Sequence, residues 1–204
     1  MTSERPGLDE PPKLDVAALD VARPGEFVAA MAPLFEGAPG FLWRLAAARP
    51  FGSEEQLFRR ARQVARLLPE ALQLELIDAH PRLGAPPVSV SALSFREQGY
   101  DVEAATNLAS EAARERDRVA AQLDRLNREY EARFGFRYCV FVAGRSRAAL
   151  LPGLETALAQ EREAELFRAL DAVVDIARDR TRASPGLASP GSRSPGFASG
   201  TVST

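Results

Sequence analysis

Apolar residues recur at three- and four-residue spacing through most of this chain, the period of a helix buried on one face. The stretches from Phe27 to Phe35 and from Pro39 to Ala48 follow it. Ser53-Glu54-Glu55-Gln56 supplies a capping hydroxyl, acidic residues in the first turn and a Gln three positions on, which predicts a helix running to about Leu68. Pro69 can open the next helix, with Leu72, Leu76 and Ile77 facing inward, and it ends at His80-Pro81. Gly84-Ala85-Pro86-Pro87 reads as a loop. The longest periodic run, about Asp101 to Phe134, buries Leu108, Ala112, Val119, Leu123, Leu126 and Tyr130, and would span roughly 50 Å. Gly135 stops it. Arg137 to Val142 is β-branched and aromatic, so it favours extended chain, but no second strand of comparable strength exists to pair with it. Helices from about Ser146 to Glu161, kinked early by Pro152, and from about Glu163 to Arg182 complete the pattern. The expectation is an all-α, single-domain helical bundle with one long central helix and a short extended segment.

The ends break the periodicity. Residues 1–24 are rich in Pro and acidic side chains and read as a flexible segment; the ordered domain is expected over 25–182. Residues 183–204 repeat Ser-Pro-Gly three times and lack the apolar content to offset ordering entropy, so they read as a disordered tail. Across the 204 residues, 26 basic and 28 acidic side chains leave a formal charge of −2. That balance argues against nucleic acid as a partner, which would need a basic face. One cysteine, Cys139, excludes an intrachain disulfide, and with one histidine the usual Cys/His zinc sites cannot be built within the chain. No apolar run reaches the roughly 20 residues needed to span a bilayer, and Met1 to Arg23 lacks the apolar stretch of a secretory signal. Lys13 is the only lysine against many arginines, and Ala is abundant. This composition reads as a GC-rich, bacterial genome and a cytoplasmic protein.

Candidate chemistry begins with that single histidine. His80 is the one side chain whose ordinary pKa suits proton transfer near neutrality. Its place at a helix exit is equally that of a capping or surface histidine. Ser94 with Glu97 three residues on is a capping box by spacing. With Gln98 beside it, the same turn offers an acid/base group and a neutral hydrogen-bonding fork, at a helix start whose N–H groups favour an anion. On the last helix, Leu166, Leu170, Val173, Val174 and Ala177 define a stripe. Arg180 falls roughly 70° from its centre, Arg178 about 90° and Arg182 about 130°. Arg180 is therefore best placed to reach the interior, as a structural ion pair or as a clamp on a substrate. Cys139 lies in an apolar run and Trp43 is the only tryptophan; both read as core.

Taken together, these motifs resemble the 2-oxo-4-hydroxy-4-carboxy-5-ureidoimidazoline (OHCU) decarboxylase family of urate breakdown. The resemblance rests on His-Pro-x-Leu-Gly at His80–Gly84 and Ser-x-x-Glu-Gln at Ser94–Gln98. It continues through Leu126-Asn127-x-x-Tyr130-x-x-Arg133-Phe134-Gly135-Phe136 and the extended segment after it, and closes on Ile176-x-x-x-Arg180. It implies that His80 is the acid/base residue, that Glu97 partners it, and that Arg180 is the site's cation. Pro81, Ser94 and Gln98 are implied to meet substrate, as is the backbone of Tyr138, Cys139, Val140, Phe141 and Val142. The resemblance further implies an all-α, cofactor-free and metal-free homodimer. The chain departs from the family pattern at Arg137, where Pro is common, at Gly99-Tyr100-Asp101, and at Ala157-Leu158-Ala159-Gln160.

The implied activity is decarboxylation of the ureidoimidazoline to S-allantoin without a cofactor. The guanidinium fork of Arg180 would then suit the substrate's anionic or ureido oxygens. Two other functions are open: a non-enzymatic helical interaction module, in which His80, Glu97 and Arg180 are scattered caps and ion pairs, and a relative that binds a ureide-like ligand without turnover.

Overall fold

The computed structural model describes residues 14–85, 94, 98 and 110–183. Helix α1 is Val16–Val21 and α2 Pro24–Met31, followed by a 3-10 helix at Ala32–Phe35. Helices α3 (Pro39–Ala47), α4 (Glu54–Leu67) and α5 (Glu70–Asp78) complete the first half. In the second half α6 is Ser110–Phe134, α7 Arg147–Ala157 and α8 Arg162–Ala183. Among the described residues there is no strand, and the chain is all-α. The expected start of the long helix at residues 101–109 lies outside the described residues, as do residues 1–13 and 184–204.

Local signals place most of these boundaries. Ser53 caps α4, its Oγ accepting from the Gln56 amide at 3.2 Å, and Ser146 caps α7 in the same way through the Ala149 amide. Pro69 stands as the N-cap of α5. Gly135 ends α6 in the left-handed region at φ 80°, with its N–H on the carbonyl of Glu131 at 2.9 Å. In α3, Gly40 is required for a different reason. A Cβ there would stand 2.7 Å from Leu72 Cδ2, and the Gly40 amide donates to Glu75 Oε1 at 2.9 Å, joining α3 to α5.

Helix α8 is the element that α4, α5 and the 3-10 helix all meet. Its stripe of Leu166, Leu170, Val173, Val174 and Ala177 is buried as the period predicts. Helix α6 buries Val119, Leu123, Leu126 and Tyr130 and rests on α7.

Several expectations are corrected. Part of the segment expected to be flexible, 1–24, forms α1: Asp15 Oδ1 caps it through the Ala18 amide at 2.9 Å, and Leu19 is fully buried. Long-range contacts hold it, which local periodicity does not report. Arg49 donates to the carbonyls of Leu19 and Ala22, while Asp20 accepts from the amides of Phe51 and Gly52. The stretch from Phe27 to Phe35 is two pieces, because Pro33 stands at the start of the 3-10 helix and cannot donate into the preceding turn. Helix α7 ends at Ala157, four residues before Glu161, in a tighter turn closed by Ala159 N on Thr156 O and Gln160 N on Ala157 O. Trp43 is 52% exposed, not core.

Candidate active site

The C-terminal end of α5 builds the site's first wall. The His80 amide closes a turn on Ile77 O at 3.1 Å, and its ring Nδ1 lies 3.2 Å from Leu76 O, one helical turn back. A carbonyl only accepts, so Nδ1 carries the hydrogen and Nε2 is the acceptor of a neutral ring. The imidazole is 3% exposed, and Nε2 is buried without a hydrogen-bond partner among the described residues. Burial lowers its pKa from 6.5 to about 4, and the Arg180 charge adds to the fall; Glu36 and the bond to Leu76 oppose it.

The second wall is the segment after α6. Among the described residues no strand pairs it, and side chains meet several of its backbone polar groups. Arg137 N bonds Asp78 Oδ1, and Arg137 Nη1 donates to the carbonyls of Asp78 and His80 at 2.8 and 3.1 Å. The residue that departs from the family pattern thus staples this wall to the histidine turn. From the other side, Arg168 Nη1 donates to Cys139 O at 2.8 Å while its guanidinium lies 4.8 Å from the centre of the Tyr138 ring. Arg168 is itself held by Glu165, which also accepts from the Tyr130 hydroxyl at 2.8 Å. Cys139 is buried, as a packing residue should be.

Helix α8 supplies the third wall. Arg180 is 1% exposed, whereas Arg178 is half-buried and Arg182 exposed. Its Nη1 donates to Pro33 O and Leu34 O at 3.2 and 3.1 Å. Its Nη2 donates to Glu36 Oε1 at 2.8 Å and Ser94 Oγ at 3.1 Å. The guanidinium fork, expected to grip substrate, is engaged by the protein.

These walls line one cavity of about 80 Å³. His80, Pro81, Ser94, Gln98 and Arg180 line it with the run Tyr138, Cys139, Val140, Phe141 and Val142. Glu97, expected to partner His80, lies outside the described residues. Gln98 is pinned to the loop after His80: Oε1 accepts from Gly84 N at 2.8 Å and Nε2 donates to Arg82 O at 3.4 Å. With His80 and Arg180 at one cavity, the reading of them as scattered caps and ion pairs does not fit. Among the described residues no His, Cys, Asp and Glu cluster could hold a metal ion, and no helix is long and apolar enough to cross a membrane.

Sequence reasoning missed Glu36, whose carboxylate joins Arg180 to Ser94, and Asp179, which also lines the cavity. Glu36 follows a 3-10 turn in an otherwise apolar stretch and carries no spacing signal. By helical period Asp179 falls on the polar face of α8.

Fold and cavity together define a class: an all-α protein with a small-molecule site built around a buried neutral imidazole and a buried guanidinium. The chain belongs to the OHCU decarboxylase family, whose profile, described as OHCU decarboxylase, matches residues 21–182. It is 33% identical over 147 residues to the uric acid degradation bifunctional protein PucL of Bacillus subtilis (strain 168). That match covers 72% of this chain and 28% of the longer, bifunctional relative. Against the 2-oxo-4-hydroxy-4-carboxy-5-ureidoimidazoline decarboxylase of Haloferax volcanii, identity is 26% over 154 residues, covering 76% of this chain and 86% of that one. The fold matches an OHCU decarboxylase crystallised in the presence of (S)-allantoin, with a TM-score of 0.54 and 22% identity over 76% of this chain and 96% of the other. An (S)-allantoin synthase structure gives a TM-score of 0.56 at 18% identity, over 82% of this chain and 53% of the other.

Proposed function

We propose that this chain is a carboxy-lyase that needs no cofactor and converts 2-oxo-4-hydroxy-4-carboxy-5-ureidoimidazoline to (S)-allantoin in urate breakdown. The observation that carries this reading is the state of His80 at the cavity: neutral, hydrogen on Nδ1, and an Nε2 with no partner among the described residues. Family membership and the decarboxylase relatives support it.

The chemistry asks for little else. The C4–CO₂ bond breaks and its electron pair moves into the adjacent ring imine, whose nitrogen takes up a proton from solvent. The resulting enol then loses its hydroxyl proton and gains one at C5, on a single face, to give allantoin. Nε2 is the group to accept the hydroxyl proton, since the resting ring is a base and not an acid. Glu97 is proposed to steady the imidazolium once formed. The backbone of Tyr138 to Val142 is proposed to meet the ureido edge, with Pro81, Ser94 and Gln98 shaping the remaining contact. Arg180, its terminal N–H groups turned to protein acceptors, supplies positive charge where the carboxylate sits.

A homodimer in the bacterial cytoplasm completes the proposal. It rests on the family resemblance and on the GC-rich composition; light scattering should give twice the 22.1 kDa of one chain, and a monomer would contradict it.

Because the substrate decays unaided to racemic product, the test reads chirality. Urate is oxidised and its first product hydrolysed in place, and circular dichroism follows allantoin. The wild-type chain should yield the S enantiomer, and His80→Gln should lower kcat by about 10²–10⁴. Racemic product at the spontaneous rate, or full activity in His80→Gln, would overturn the assignment.

A further inference from the structure

We propose that Glu36 is a positioning residue of this site: its carboxylate locks Arg180 and Ser94 into one unit and balances the guanidinium beside His80. The proposal rests on His80 as the proton acceptor described above.

Glu36 Oε1 accepts from Arg180 Nη2 and from Ser94 Oγ, each at 2.8 Å, and Arg180 Nη2 reaches Ser94 Oγ at 3.1 Å. Three polar groups from the first, middle and last parts of the chain thus close a triangle at the cavity wall. The 3-10 helix completes the cradle, because its Pro33 and Leu34 carbonyls take Arg180 Nη1. All four terminal N–H groups of the guanidinium therefore point at protein acceptors, and Arg180 acts on the cavity by its charge.

Glu36 holds a left-handed backbone at φ 52°, ψ 30°. A residue with a Cβ adopts that region at an energetic cost, and such strain persists where surrounding contacts dictate it. Here those contacts include Arg180 and Ser94.

The charged groups about the imidazole set the sign of the test. Arg180, from α8, disfavours the imidazolium and Glu36, from the end of the 3-10 helix, favours it; Asp179 lines the same cavity, and Arg137, bonded to Asp78, reaches the His80 carbonyl from the segment after α6. Loss of the Glu36 charge removes a group that favours the imidazolium, while the Arg180 charge that disfavours it stays. Simple loosening of the cavity would act the other way, since water would relieve the burial that dominates the shift.

His80 is the only histidine, so one imidazole signal in the full chain, labelled with ¹³C and ¹⁵N at histidine, reports it without assignment. Glu36→Gln keeps the shape and an acceptor but removes the charge. Its His80 midpoint should fall by about one pH unit below that of the wild type, and kcat should drop about tenfold with KM within about threefold. A midpoint that is unchanged, or that rises toward the ordinary histidine value, would overturn the proposal. Glu36→Asp, which keeps the charge and suits a left-handed backbone, carries the test should Glu36→Gln not fold. The midpoint should stay near wild type while the shorter arm lowers kcat; undiminished kcat would count against positioning. The resonance arm stands even if the chain shows no turnover, which would instead defeat the lyase reading.

Discussion

At the scale of single residues, His80 couples the site to the stability of the fold. An imidazole freely titrating in the unfolded chain has a pKa near 6.5, and burial lowers it to about 4 in the folded protein. The unfolded state therefore binds the proton more readily between those values. Stability from this group is intact above pH 6.5, falls as pH drops toward 4, and levels off below. The loss amounts to about 3 kcal/mol. Urea denaturation of wild type and His80→Gln at pH 7 and pH 4 should show it: the variant lacks this part of the decline. Parallel loss in both proteins would mean that the imidazole is not buried neutral. The signal that found His80 was plain, a lone titratable side chain where a helix meets proline. Arg180 was legible because its angle from the apolar stripe is the smallest of the three arginines at the end of that helix. Glu36 was not legible, since its role depends on partners 58 and 144 positions away.

Elements were legible where the chain carries its own punctuation. Ser53 and Ser146 cap the helices they were expected to cap, Pro69 opens α5 and Gly135 closes α6. These are contacts within four residues, which local reading sees. Removing the Ser53 hydroxyl leaves the Gln56 amide to water, so Ser53→Ala should cost about 1 kcal/mol and lower Tm by roughly 2–4 °C. Ser53→Asp should stay close to wild type, because the carboxylate caps as well. A scan in which Ser53→Ala matches wild type would show that the first turn of α4 is held by packing alone. Helix α1 escaped notice for the opposite reason. Six residues long, it depends on Arg49 and Asp20 to reach the body of the protein, contacts some thirty residues apart in sequence. Trp43 warns against reading size as burial: it lies on α3, whose inward face is already filled by Phe41, Leu42 and Leu45.

For the whole molecule, the cavity is assembled from parts that no window of sequence contains together. The end of α5, the unpaired run after α6 and the last turns of α8 each bring one wall. Arg137 and Arg168 fasten the middle wall to its neighbours. The motifs that carry the family resemblance are the pieces of those walls. For the guanidinium the expectation was a fork on substrate oxygens, and there the structure differs: the fork faces Pro33, Leu34, Glu36 and Ser94. The cavity thus holds an imidazole whose burial lowers its pKa to about 4, with the paired Arg180 and Glu36 beside it.

The dependence of kcat/KM on pH for (S)-allantoin formation tests that picture most directly. A resting neutral base predicts a rate that stays level through neutrality and declines on the acid side with a midpoint near 4, where His80 takes up its proton. A rate that instead climbs as pH drops from 8 to 6 would show that the imidazolium is the working form, and would contradict it.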